Sequence, residues 1–199
     1  MRRNSICEQS KKVASHIFID GFGGMTQGLF ATLIIGTMIQ QIGLLIGGST
    51  GNVIYLLGKA AAALTSAGIG VGVAVKYGES PLVTVSAAVA AMVGGYAGKI
   101  TGGTFFVDGN AVLAGPGEPL GAFIAAFAGI TCGHLVSGKT KVDIIVTPVI
   151  TIGAGSVVGL LVGPPISQMM TGLGSIINWA TEQRPFIMAS LFRSSWVWF

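Results

Sequence analysis

The sequence predicts an all-α, polytopic membrane helix bundle, and three observations predict it. Residues 25–46 carry no ionisable side chain, and about 20 apolar residues suffice for a helix to cross the hydrocarbon core. Charged residues make up 9% of the chain and mean hydropathy is +0.78, where a soluble domain carries roughly 25% charged residues. The chain holds 32 glycines, and Gly is more frequent in membrane helices than in soluble ones.

The elements follow in order. Residues 1–12 are polar and basic, with Arg2, Arg3, Lys11 and Lys12. The apolar run after them is too long, and too poor in a small-residue cleavage pattern, for a cleavable signal. Spans are expected at 25–46, 53–75, 81–97, 119–136 and 144–162. Gly47-Gly48-Ser49-Thr50-Gly51-Asn52, Lys76-Tyr77-Gly78-Glu79-Ser80 and Gly138-Lys139-Thr140-Lys141 punctuate them. A chain of 199 residues holds five or six spans plus short loops and is expected to leave no room for a soluble catalytic domain beside them. A cytoplasmic N-terminus places Arg2, Arg3, Lys11, Lys12, Lys76, Lys139 and Lys141 inside. Lys99 and Arg184 then fall outside, with Lys59 snorkelling from its helix, a bias that matches the positive-inside rule.

Small residues recur four apart as Gly43/Gly47, Gly68/Gly72, Gly94/Gly98, Gly129/Gly133 and Gly155/Gly159. In lipid, helices associate by close packing rather than by water expulsion, and this spacing lets backbones approach. The pattern predicts a compact bundle.

Two stretches break the pattern. From Ile100 to Pro119 the chain is too apolar for a solvated loop and too rich in Gly and Pro for a straight helix. Irregular backbone at membrane depth survives only when buried in protein or lining a cavity. Asp108, Asn110 and Glu118 are therefore the candidate substrate-binding groups, since ionisable residues at that depth mark functional sites by default; the alternative is an extracellular loop whose acids face water. The second stretch, 166–179, repeats Ile166, Met169, Met170, Leu173, Ile176 and Ile177 at helical spacing. It reads as an amphipathic interfacial helix beginning at Pro164-Pro165, with Trp179 at headgroup level.

Other chemistries find no support. Gly133-His134-Leu135-Val136-Ser137-Gly138-Lys139-Thr140 matches a phosphate-binding loop pattern. That motif needs a strand before it and a helix starting at its Lys, whereas here a bilayer-length span precedes it. Cys7 and Cys132 lie far apart without a CxxC pair, which suggests neither a disulfide framework nor a zinc site. His16 and His134 are single, and no nucleophile–His–acid constellation assembles. No cofactor, metal or catalytic residue is expected. The formal charge of +4 comes from residues scattered at helix ends, so nucleic acid is not expected as a partner.

Asp20-Gly21-Phe22-Gly23-Gly24-Met25-Thr26-Gln27-Gly28-Leu29-Phe30, followed by Gly36-Thr37-Met38-Ile39, resembles a family of bacterial phosphotransferase-system membrane subunits. This IIC-like family also includes perfringolysin-regulator-type membrane proteins. The likeness continues through Thr101-Gly102-Gly103-Thr104 and Gly115-Pro116-Gly117-Glu118-Pro119 and covers 13 to about 188. The resemblance implies the permease part of a phosphoenolpyruvate-dependent sugar phosphotransferase system in the bacterial inner membrane. It implies a sugar as substrate and a phosphorylated IIB subunit, on a separate chain, as phosphate donor. It also implies a homo-oligomer at full length. In related sugar-transporting members a Glu-Pro pair in a re-entrant segment helps to hold the sugar, and Glu118-Pro119 is the matching pair. A membrane-embedded regulator that senses a ligand without transport is the alternative.

The family pattern continues into further spans, whereas 189–199 adds Arg193, Ser194 and Ser195. Deleting one base from codons for Met-Gly-Ile-Val-Ile-Ser-Val-Ile-Met-Gly-Met-Val reproduces Met188 to Phe199. The expectation is an N-terminal portion of a IIC-like domain over 1–188 and an out-of-frame tail over 189–199; if that truncation is real, the polypeptide is expected to be inactive alone.

Overall fold

The computed structural model describes residues 16–107, 110–111, 113, 115–139 and 142–183. A π-helical turn, His16–Gly21, leads into α1 (Phe22–Leu29). A second, Phe30–Ile34, leads into α2 (Ile35–Ile46). Together they form one apolar rod, Ile19–Ile46. The hydroxyls of Thr26, Thr32 and Thr37 donate to carbonyls of Phe22, Gly28 and Ile34 in the same rod. Polar side chains at membrane depth are thereby satisfied by their own helix.

Gly47 turns the chain with φ 65° and ψ −175°, backbone that is essentially restricted to glycine. α3 (Gly48–Ala63) then packs back along α2, and α4 (Thr65–Lys76) packs on α1. The sequence predicted one straight span over 53–75. The chain instead bends by 52° between α3 and α4, at Leu64. A straight helix would bond the carbonyls of Ala62 and Ala63 to the amides of Ser66 and Ala67. Here Thr65 Oγ1 donates to the Ala62 carbonyl at 2.6 Å, and the Tyr96 hydroxyl reaches the Ala63 carbonyl at 3.2 Å. Nothing local in Ala60-Ala61-Ala62-Ala63-Leu64 announces the break, because one of its partners is remote in sequence.

α5 (Pro81–Gly95) starts on Ser80, whose hydroxyl accepts from Val83 N–H, with Pro81 at the first helical position. After Tyr96 come the short α6 (Ala97–Thr101) and a minimal hairpin, β1 (Phe106–Val107) with β2 (Asn110–Ala111). α7 (Pro119–Val136) and α8 (Asp143–Gln183) complete the described chain. α4, α5 and α7 enclose a core in which Ile69, Val73, Val83, Ala87, Ala91, Ala122 and Ala126 are fully buried, Met25 and Leu29 of the first rod pack against it, and α8 packs on α5 and α7.

α8 corrects a second expectation. Pro164-Pro165 does not begin a separate interfacial helix, because 41 residues run on as one helix with Pro148, Pro164 and Pro165 inside it. Neither proline amide can bond back, so the carbonyls of Leu160 and Leu161 lose their helical partners. Gly163, buried against Ala97, keeps α8 attached to α6 at that level. At about 1.5 Å per residue α8 is on the order of 60 Å long, twice the ~30 Å hydrocarbon core. Its far end, bearing exposed Met169, Leu173, Ile176, Ile177 and Trp179, runs clear of the bundle as a continuation of the span.

This is a helical bundle with several membrane-spanning helices. Among the described residues three helices are long and apolar enough to cross, and four if α3 and α4 count as one bent span. The third expected span, 81–97, is occupied by α5, apolar but only 15 residues long.

Candidate functional site

The most elaborated local structure lies where α5 ends and α7 begins. Gly115 and Gly117 take φ of 80° and 74°, and Pro116 and Glu118 complete the loop between them and α7. Three hydrogen bonds fix it. The Tyr96 hydroxyl reaches the Gly115 carbonyl, Ser66 Oγ donates to the Pro116 carbonyl at 2.9 Å, and Glu118 N–H donates to the Gly95 carbonyl at 2.7 Å. The same Tyr96 hydroxyl lies 3.2 Å from the Ala63 carbonyl, at the α3/α4 bend, and shares its one proton between the two. Tyr96, only 1% exposed, therefore ties three segments together. A methyl group on Gly117 would sit 2.5 Å from Ser66 Oγ, so glycine is needed there for space as well as for its φ.

A cavity of about 370 Å³ opens beside this loop, lined by Gly95, Gly98, Lys99, Gly115, Pro116, Gly117, Glu118 and Ser167. Glu118 occupies the N-cap position of α7, yet its carboxylate makes no capping hydrogen bond, so its oxygens are not consumed by the helix terminus. Its side of the cavity is also the positive end of α7, which favours an anionic side chain. Lys99, from α6, holds its ammonium 5.3 Å from the centroid of the Tyr96 ring. The Tyr96 ring in turn packs on Phe105, with centroids 5.5 Å apart. Ser167 enters from α8. Cation, carboxylate, hydroxyl and glycine backbone converge on one space that can hydrogen-bond a polyhydroxylated molecule.

Of the three residues the sequence singled out, Glu118 lines this cavity. Asp108 lies outside the described residues. Asn110 pairs through its backbone with Val107 in the hairpin, and its side chain is not described. Sequence reasoning missed Lys99 and Ser167 as lining residues. Lys99 had a signal, being the only Lys or Arg between Lys76 and Lys139, but topology alone seemed to account for it.

A cleft of similar size, about 360 Å³, lies between α1 and α4. Gln27 and Thr32 are the polar side chains lining it, and the Thr32 hydroxyl is already bonded to Gly28. It offers little to a polar ligand.

The other end of the bundle is polar in a different way. Glu79 Oε1 meets His134 Nδ1 at 2.9 Å, Ser80 Oγ lies 3.1 Å from Ser137 Oγ, and Asp143 accepts from Gly138 N–H and Thr147 Oγ1. Burial, and secondarily the nearby Asp20 carboxylate, push the Tyr77 phenol above its ordinary range. The stretch that matches a phosphate-binding loop falls here. Gly133–Val136 is the last turn of α7, its amides within the helix, and Gly133 is buried against Thr151. No described strand feeds it.

Neither the curated proteins nor the solved structures yield a match. The family model "Phosphotransferase system, EIIC" matches residues 19–197. That span starts with the α1 block and takes in the whole cavity, so the chain belongs to the phosphotransferase system EIIC family.

Proposed function

We propose that this chain binds a sugar in the Glu118 cavity as the membrane permease component of a bacterial phosphotransferase system, with a separate phosphorylated IIB subunit donating phosphate. Membership of the EIIC family supports the membrane and transport part of this reading. The observation that carries the site is Glu118 itself. Its carboxylate lines a cavity, is not used as a helix cap, and rides on a loop bolted to α4 and α5. A carboxylate accepts hydrogen bonds from sugar hydroxyls, and charge-assisted bonds of this kind are the stronger ones.

Orientation bears on how such a site is used. Asp143 and Ser167 are 24 residues apart on α8, about 36 Å along the axis. The cavity and the Glu79–His134 end therefore lie near opposite faces of the bilayer. With an N-terminus in the cytoplasm of an inner-membrane protein, Lys76 and Lys139 lie inside and the cavity opens outward. In that arrangement sugar enters from outside, and access must switch before IIB can phosphorylate it.

The test is ligand-dependent thermal stability of the purified chain in lipid nanodiscs across a sugar panel. At least one sugar is expected to raise the melting temperature of wild type, and Glu118→Gln should lose that shift while remaining monodisperse. Equal stabilisation of both proteins would overturn the assignment of Glu118.

A further inference from the structure

We propose that Ser66 is a positioning residue for Glu118, and that it makes ligand affinity depend on the bend between α3 and α4. This inference rests on the sugar-binding reading above and adds what sets the geometry of that site. The hydroxyls of Thr26, Thr32, Ser86 and Thr131 are spent within their own rod or helix, each donating to the carbonyl four residues back. Ser66, the second residue of α4 and fully buried, instead donates to the Pro116 carbonyl, 50 residues away. The bend accounts for the exception. The local acceptors of Ser66 are already engaged, the Ala62 carbonyl by Thr65 Oγ1 and the Ala63 carbonyl by the Tyr96 hydroxyl.

Steric fit stiffens the tie. A carbon added to Gly95 would overlap Ser66 Oγ, and one added to Gly117 would lie 2.5 Å from it. Ser66 thus fills a slot between the end of α5 and the ligand-facing loop. Glu118 follows Gly117 directly, and its N–H is bonded to the Gly95 carbonyl. A change of direction at Leu64 therefore displaces Ser66, which either shifts Gly117 with it or gives up its bond to Pro116. Interiors packed this closely transmit such shifts rather than absorb them. Straightening the span would hand the Ala62 and Ala63 carbonyls back to helical amides and carry Ser66 out of its slot. Linkage makes the effect reciprocal, so a ligand held by Glu118 stabilises the bent form.

The experiment compares wild type, Ser66→Ala, Thr65→Val and Ser86→Ala as whole chains in nanodiscs. Thr65 lines no part of the cavity and its hydroxyl bonds at the bend, so Thr65→Val perturbs the bend and not the loop. Ser86→Ala removes a hydroxyl that α5 spends on itself and is the control. Without ligand, hydrogen exchange at the Gly117 and Glu118 amides should quicken in Ser66→Ala and Thr65→Val and stay at the wild-type rate in Ser86→Ala. Neutral hexoses and hexitols are the binding probes. Whichever compound binds wild type should bind Ser66→Ala and Thr65→Val about 3- to 10-fold more weakly, the size of one lost hydrogen bond, and Ser86→Ala equally well. Thr65→Val carries both readouts by itself where Ser66→Ala does not assemble. Unchanged loop exchange in Ser66→Ala, or equal weakening in all three variants, would overturn the positioning role and leave the sugar-binding reading intact. Wild-type affinity in Thr65→Val would overturn the dependence on the bend. Binding of no panel compound to wild type would remove the sugar-binding reading and this inference with it.

Discussion

The α2–α3 hairpin and the α4–α5–α7–α8 core use the same glycine-rich vocabulary and bury different things with it. In the hairpin the buried positions are Gly36, Gly43, Gly51, Gly58 and Ala62, while Leu44, Leu45, Leu56 and Leu57 face outward. In the core, glycines bring backbones close enough for side chains of third helices to close over the contact. Gly94 meets Gly121 and Ala125, Gly155 meets Ala90 and Ala125, and around them Ile69, Val73, Val83 and Tyr96 lose essentially all exposure. Backbone approach is the whole interface of the hairpin and only the first layer of the core. Lipid must cover the hairpin's outer face, whereas protein covers the core.

The largest effect should come from testing that difference with two methyl groups. A Cβ on Gly24 would lie 2.5 Å from the Gly72 carbonyl oxygen and 2.7 Å from Val73 Cα. A Cβ on Gly43 would lie 2.5 Å from the Tyr55 amide nitrogen. The overlaps are alike, and forcing an extra methyl into a closed contact costs about 1–3 kcal/mol. Gly24→Ala pushes α1 off the fully buried Val73 and should lower the global stability by that full amount, read as a lower melting temperature. Gly43→Ala should splay the hairpin and leave the core transition nearly unchanged. Thermal melts with cysteine cross-linking of α2 to α3 separate the two. Gly153→Ala, where nothing lies within 4 Å of the added carbon, is the neutral control. Equal global loss in Gly24→Ala and Gly43→Ala would show that hairpin and core unfold as one unit.

Next in size is Tyr96→Phe. It removes the one hydroxyl, on a residue 1% exposed, that bonds to the Gly115 carbonyl and lies beside the Ala63 carbonyl in part-buried surroundings. Losing a hydrogen bond of this kind costs about 0.5–1.5 kcal/mol. Ser66→Ala removes the neighbouring tie to Pro116. Because both hold the same loop, the double variant should fall short of the sum, a coupling readable by a double-mutant cycle. Additive losses would mean that the loop does not act as one piece.

What the sequence made legible follows the same division. Apolar length found the spans, and the four-residue glycine spacing found contact faces. Gly68, Gly72, Gly94, Gly98, Gly129, Gly133, Gly155 and Gly159 each meet another segment closely, as Gly43 does. Gly47 does not, since it serves a turn and faces open space. Partner choice was not legible. Nothing in a Gly-x-x-x-Gly pair says that Gly24 will find Gly72, or that Gly98 will find Ser167. Glu118 was legible because a carboxylate beside Pro in an apolar segment is expensive anywhere but at a site or a surface. The α3/α4 bend and the clasp at Tyr96 were not, because Tyr96 reaches back 33 residues to Ala63 and forward 19 to Gly115. The run through Pro164-Pro165 was misread because local proline rules were applied where packing around Gly163 holds the helix together.

The smallest effect should come from the Glu79–His134 contact, and its smallness sharpens the comparison. His134 and Glu79 approach to 2.9 Å, but the His134 side chain is 71% exposed and only that of Glu79, at 8%, is enclosed. An exposed partner is solvated and screened, so pairs of this kind contribute about 0–1 kcal/mol. His134→Gln keeps a donor within reach of the carboxylate and should cost less than Tyr96→Phe, with the difference shrinking further at high salt. The physical ground is enclosure. The Tyr96 clasp is part-buried around a residue 1% exposed, whereas Glu79 regains water as soon as the imidazole, 71% exposed, is removed. A loss from His134→Gln equal to that of Tyr96→Phe, and insensitive to salt, would make the polar end of the bundle as structural as the buried clasp. Stability would then no longer track closeness of packing across this molecule.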